Sequence, residues 1–252
     1  MIVTEQALRR QLPRPRAGAR VRVAAGDSLS PAAADFVRQW SLEVVHEEPR
    51  SAADAGAWDH PGTFPVRPGE PRCTACGSVV HDKPDALTQL DACHLAPKTH
   101  PRIRLRAGLD ELQGWALLAA ATAARDGLGT LADALDSVAA YCRELLAAEY
   151  SERPAAPLAL AGADEQQIHA DTHDPAGRLG VEHLVPSSTD APAALWLNLL
   201  RSRVRAVEIL ALDAFGSPHH PSGASVVHGL NRLSSAVYWL ELRLAAGWGG
   251  AS

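Results

Sequence analysis

Apolar residues recur at helical spacing through most of the second half of the chain. Leu105, Leu109, Leu112, Ala116, Ala119 and Ala123 share one face of a 3.6-residue period, and Leu131, Leu135, Val138, Cys142 and Leu145 repeat the pattern in the next segment. A third stripe runs through Trp196, Leu200, Val204, Val207, Ala211 and Phe215, and a fourth through Val226, Leu230, Leu233, Val237, Leu240 and Leu244. Four long amphipathic helices, with a shorter one expected near residues 164–170, predict a bundle. A polar, His-rich connection over residues 151–189 divides them into two pairs.

The N-terminal part has another texture. Residues 21–23 and 42–45 read as strands, and Ser30-Pro31 opens a short helix that runs to Trp40, so residues 1–50 predict a small α/β unit. Arg9, Arg10, Arg14, Arg16, Arg20 and Arg22, with Pro13 and Pro15 among them, read as a flexible basic arm. Over residues 51–97 periodicity gives way to Pro, Gly, His, Asp and Cys. A loop that long needs something other than an apolar core to order it, and a metal would do so. The expected division is therefore an α/β unit over 1–50, a His/Cys loop region over 51–97 and a helical domain over 98–252.

Composition narrows the function classes. With 252 residues, 46% of them hydrophobic, the chain can bury a sizeable core, and its net charge of −5 gives no overall field toward nucleic acid or an anionic membrane. The longest apolar run, residues 115–124, is about half of the roughly 18 residues a spanning helix needs, and Arg125 follows it. No charged n-region precedes an apolar h-region, so a reducing cytoplasm is expected, where the four cysteines serve as metal ligands or packing groups rather than disulfides.

Cys73-Thr-Ala-Cys76-Gly77 is a C-x-x-C knuckle: two thiolates three residues apart can enter one tetrahedral site, and the glycine permits the turn behind them. His60, thirteen residues upstream of Cys73, supplies a third ligand, with His81, Asp82, Cys93, His94 and water open as the fourth. Cys142 lies on an apolar stripe and reads as core, while the pairs His169/His173 and His219/His220 read as solvated. Along the third helix Arg201, Arg205 and Glu208 each follow a core position by one residue. Asn231, Ser234 and Tyr238 do the same on the fourth, and Arg106, Asp110 and Gln113 on the first. A polar groove carrying two arginines suits a polyanion such as a nucleotide phosphate chain.

These residues also form an ordered set. Pro97-Lys98, Arg106-Ala-Gly108-Leu-Asp110-Glu111-Leu112, Arg201 with Arg205 and Glu208, and Asn231-Arg232-Leu233-Ser234 resemble the signature of the ATP:cob(I)alamin adenosyltransferases with a five-helix-bundle fold. His60 with the Cys73/Cys76 knuckle, Lys83-Pro-Asp-Ala-Leu-Thr88 and His183-Leu-Val-Pro186 resemble the ethanolamine-utilisation type, although Arg72 stands where that type often carries a further cysteine. No Gly- and Thr-rich phosphate loop of the propanediol-utilisation type is present.

The resemblance implies a mainly α fold: a five-helix bundle preceded by the small α/β unit and the metal loop. It implies transfer of the 5′-deoxyadenosyl group of ATP to cob(I)alamin, with adenosylcobalamin as product and Mg²⁺ accompanying ATP. Arg205, Asn231 and Glu208 would be the catalytic set, with Lys83, Thr88, Lys98, Arg205 and Asn231 on ATP and Glu208 holding Arg205. Asp110 and Arg201 would form a salt bridge between subunits of a homo-oligomer, dimer or trimer, and His60, Cys73 and Cys76 would bind Zn²⁺ or Fe²⁺. Trp115, Trp196 and Phe215 are alternative walls for the lower face of cobalt. Hand-over to an adenosylcobalamin-dependent enzyme and association with a bacterial microcompartment belong to the same expectation. The alternative is a corrinoid- or nucleotide-binding carrier or sensor on the same bundle, which would have no need of a leaving-group clamp.

Overall fold

The computed structural model describes residues 2–12, 15–24, 27–47, 69–216, 220 and 222–249. The chain divides into two units, Met1–Ala55 and Gly56–Ser252.

The first unit runs β1 (Ile2–Val3), α1 (Glu5–Gln11), β2 (Arg20–Ala24), β3 (Ser28–Leu29), α2 (Pro31–Gln39) and β4 (Glu43–Glu47). β2 and β4 pair in parallel, which requires a crossover that α2 supplies, and β1 and β3 form a second parallel pair. Both helices start on hydroxyl caps, the Thr4 oxygen accepting from the Ala7 amide and Ser30 from Ala33, with Pro31 in the first turn of α2. Phe36 and Ala33 pack with Leu8, Val21 and Leu42 in a small core. The expected basic arm is thus corrected. Arg9 sits on α1, its Nε 2.8 Å from Glu5 and its guanidinium over the Phe36 ring, and Arg20 is in β2, 2.9 Å from Glu43. Glu5 offers helical charge pairing that a count of arginines does not register.

The second unit opens with a three-stranded sheet of order β5 (Arg72–Cys73), β7 (His94–Pro97), β6 (Leu87–Gln89), β5 parallel and β6 antiparallel to β7. Strands this short carry no readable alternation, so the sequence pattern shows only a loop here.

Helices follow: α3 (Pro101–Arg125), α4 (Gly129–Ser151), α5 (Glu165–His173), α6 (Pro175–Leu179), α7 (Pro192–Phe215) and α8 (Gly223–Ala245), with the hairpin β8 (Ala159–Leu160) and β9 (Ala163–Asp164) before α5. α3 packs on α4 and α7, α8 packs on α7 and α4, and α5 and α6 lie against α8. Every position of the four predicted stripes is buried except Trp196 and Leu244, which are half-buried against the same core. No described helix is long and apolar enough to cross a membrane.

α4 and α8 approach closely at Gly229, where a Cβ would lie 2.7 Å from Leu145 Cδ2 and 2.8 Å from the Tyr141 hydroxyl. Buried carboxylates tie the connection down. Asp171 accepts from Gln167, Arg178 and the Trp239 indole at 2.8, 2.7 and 2.9 Å, and Glu144 takes both Arg153 nitrogens at 2.6 Å and the Ala156 amide at 2.9 Å. Cys142 is core as expected, burial pushing its thiol up to about 12. His169 and His173 belong to α5 rather than to an irregular connection, their rings 4.1 Å apart, and His220 caps α8 by accepting from the Gly223 amide at 3.0 Å. His219 lies outside the described residues.

Candidate functional site

The knuckle begins where β5 ends. The Cys73 amide donates to Ser78 O at 2.9 Å and the Gly77 amide to Cys73 O at 2.8 Å, closing a tight turn in which Gly77 takes a φ of +73°. The Arg72 guanidinium donates to Gly77 O at 3.0 Å and so braces the turn. Cys73 is buried and Cys76 exposed. Hydrogen bonds from the Ser78 side chain and amide, and from Cys73, hold the Cys76 thiol below its ordinary range. Two thiols on one turn, one of them stabilised as thiolate, suit half of a tetrahedral site for a borderline metal. Among the described residues no three His, Cys, Asp or Glu side chains converge as a metal cluster, and His60 lies outside them. Of the open fourth ligands, His81 has Nδ1 2.6 Å from Glu70 and His94 has Nδ1 2.9 Å from Asp91, a carboxylate that also accepts from the Cys93 and His94 amides.

The same sheet carries the residues assigned to ATP on that side. Thr88 is in β6 opposite Ala96 of β7, and the amide of Lys98, just past β7, donates to Ala86 O at 2.9 Å. Lys98 and Lys83 are exposed. The sheet is fastened to the bundle by Arg106 of α3, which donates to Gln89 O at 3.0 Å, to Leu90 O and to Glu149 of α4. Glu149 is fully buried and also pairs with Arg102. Burial alone would lower the Arg102 pKa, but the charges of Glu149 and Glu152 and the hydrogen bonds to them together outweigh it and raise it. Arg106 therefore faces the sheet and α4, whereas its spacing suggested a groove lining.

The second group of residues meets on the α7/α8 seam. Asn231 Nδ2 donates to Glu208 Oε1 at 3.0 Å, and two turns along the Arg201 guanidinium lies 4.2 Å from the Tyr238 ring centroid. Arg205 is exposed and falls between these contacts, level with Ser234 by the same antiparallel register. The hydrogen bond of Glu208 goes to Asn231, where the resemblance assigned it to Arg205. His183 lies over the seam, its ring parallel to Tyr238 at 6.2 Å and Nδ1 2.9 Å from the phenol oxygen. Beneath, one turn past Tyr238, Glu241 is buried with Oε1 unpartnered; burial pushes its pKa up to about 7 against the opposing charge of Arg201. Glu241 went unnoticed in the sequence because one acidic residue near a helix end looks like an ordinary surface charge.

Other expected residues lie apart. Asp110 of α3 is exposed, partial desolvation of its carboxyl raising its pKa, and among the described residues it makes no ion pair with Arg201. No hydrogen bond or ion pair among the described residues joins the sheet of Thr88 and Lys98 to the α7/α8 seam. Trp115 of α3 and Trp196 of α7 meet at 5.6 Å with their rings tilted by 38°, and Phe215 is buried at the end of α7, 4.9 Å from His220.

Comparison with known proteins adds a lineage to this geometry. The profile of the cobalamin adenosyltransferase family matches residues 79–244. The corrinoid adenosyltransferase EutT of Salmonella typhimurium strain LT2 is 32% identical over 170 residues, 66% of this chain and 61% of that protein. The corrinoid adenosyltransferase EutT of Escherichia coli K12 is 28% identical over 228 residues, 88% of this chain and 84% of that protein. No solved structure matches.

Proposed function

The chain belongs to the cobalamin adenosyltransferase family, and from that premise we propose that it transfers the 5′-deoxyadenosyl group of ATP to cob(I)alamin. The observation that carries this reading is the α7/α8 seam, where Arg201, Arg205, Glu208 and Asn231 share one surface. The Co(I) electron pair attacks C5′ of ATP, the C5′–O bond breaks, and triphosphate leaves with the bonding electrons. The chain supplies no nucleophile; its task is to hold C5′ over cobalt and to neutralise the departing chain. Arg205, exposed and planar, suits the phosphates, with Lys98 and the Mg²⁺ that accompanies ATP as further cations. Asn231 orients the nucleotide and Glu208 fixes the Asn231 amide. Thr88 of β6 and Lys83, in the connection before it, complete the nucleotide contacts.

In one chain those contacts are split between the sheet and the seam, which supports an active site completed by a second copy in a homo-oligomer. Exposed Leu117, Leu118, Leu195, Leu199 and Ile209 on α3 and α7 support the same assembly, since monomers rarely leave such a surface uncovered. Cys73 and Cys76, with His60, would hold Zn²⁺ or Fe²⁺, which would order the loop. The test is anaerobic. Protein, ATP, Mg²⁺ and cob(I)alamin are mixed, and loss of the Co(I) absorbance with appearance of photolabile adenosylcobalamin is expected; retention of Co(I) would refute the reading.

A further inference from the structure

The sheet that carries the knuckle has a second edge, and among the described residues the side chain that hydrogen-bonds it to the bundle is Arg106. Leu95 of β7 lies at its centre, 2% exposed. Its carbonyl accepts from the Thr74 amide at 2.9 Å, inside the Cys73–Cys76 turn, and on its other side it pairs with Gln89 of β6. Thr88 is the neighbour of Gln89 in that strand, and the Lys98 backbone closes the far end of the β6/β7 pair. A displacement of the knuckle is therefore passed to Thr88 and Lys98 through one short strand. Arg106 fixes where this unit stands on the bundle: its fork takes the Gln89 and Leu90 carbonyls, its Nε takes Glu149, and Tyr150 lies 5.0 Å beneath the guanidinium. Glu149 is itself immobilised by Arg102, which also donates to the Glu149 carbonyl at 2.8 Å. A fork with three acceptors defines an orientation as well as a position, which a point charge would not.

We infer that Arg106 is a positioning residue that couples the Cys73/Cys76 metal site to the nucleotide: it clamps the sheet so that ordering of the knuckle by a divalent cation sets Thr88 and Lys98 for ATP. This rests on the reading that ATP is the substrate and that the knuckle takes a metal. Coupling of two sites is reciprocal, so metal must strengthen ATP binding by the same factor by which ATP strengthens metal binding. Arg106 touches neither ligand and acts only through the sheet.

The experiment measures ATP·Mg²⁺ affinity by equilibrium dialysis without corrinoid, on zinc-loaded and chelator-stripped full-length protein, and zinc affinity by competition with a chromophoric chelator, with and without ATP. In the unmodified protein stripping is expected to weaken ATP about tenfold, and ATP to tighten zinc by the same factor. In Arg106→Lys both factors should fall below about twofold while zinc still binds at one equivalent. A merely destabilised fold would weaken all four affinities and leave their ratio alone. If Arg106→Lys does not fold, Arg106→Met combined with Glu149→Gln removes the fork together with its buried counter-charge and carries the same expectation. Unequal or absent coupling in the unmodified protein overturns the inference, as does a variant that keeps the ratio. Should adenosylcobalamin form while zinc leaves ATP affinity unchanged, the coupling fails and the proposed function stands. Should neither ATP binding nor turnover be found, the proposed function fails first.

Discussion

Glu241 presents a carboxyl at 5% exposure with no partner among the described residues for one oxygen, and its protonation follows from that burial. Its pKa in the fold, about 7, lies above the ordinary 4.5, so the fold prefers the acid. The favourable state is complete below about pH 4.5 and is lost as pH rises toward 7, after which the ionised form carries its full cost. Glu241→Gln should therefore equal the parent near pH 4 and exceed it in stability above pH 7, by up to about 3 kcal/mol, in urea unfolding curves taken at both pH values. Equal stability at pH 8 would show that Arg201 has already compensated the charge. On the same seam Arg205→Lys keeps the charge and loses the planar fork, so turnover should fall about tenfold or more with the unfolding midpoint little changed. Full activity in that variant would remove Arg205 from the leaving-group clamp. Helical spacing made legible that Arg205, Glu208 and Asn231 lie beside core positions, while the roles proposed for them come from the family resemblance. Glu241 was not, since its difference from a surface glutamate lies in what covers it.

At the scale of elements, the long helices were readable because each repeats its apolar period over about four turns or more, and the sheet was not because strands of two to four residues repeat nothing. Arg106 shows what spacing leaves open. Its spacing put it on the edge of the α3 stripe, but which neighbour that edge faces is decided by packing, and it faces β6 and Glu149. Packing also makes Gly229 the controlling position of the α4/α8 contact. Adding a methyl there forces Leu145 and the Tyr141 hydroxyl apart, so Gly229→Ala should destabilise by about 1–3 kcal/mol despite the better helix propensity of alanine. A denaturation midpoint unchanged or raised would mean that both side chains yield freely. The N-terminal unit was half legible: a capping serine and a proline gave α2, whereas arginine density concealed α1.

For the whole molecule the question is whether the sheet and the seam, both proposed to contact ATP, come together between two copies. If a second copy completes it, Asp110 and Arg201, unpaired with one another within the chain, become partners across the contact. Asp110→Arg or Arg201→Asp alone should weaken assembly in sedimentation and suppress turnover, by about 3–5 kcal/mol if water is excluded there, and the double swap should recover part of both. Singles that remain assembled and active, or a double no better than the worse single, would show that the pair does not join subunits. The path of the chain has one more consequence. Residues 126–128 join α3 to α4 and residues 216–222 join α7 to α8, so each pair can form from near neighbours, whereas the connection over 152–191 ends in an exposed stretch around Val185, itself 87% exposed. A backbone break near residue 188 would leave one fragment with the sheet and the first hairpin and another with the seam. Separately expressed, such halves should be inert and recover turnover on mixing, so the molecule can be titrated as a two-part reagent in which the sheet and the seam are added from different tubes.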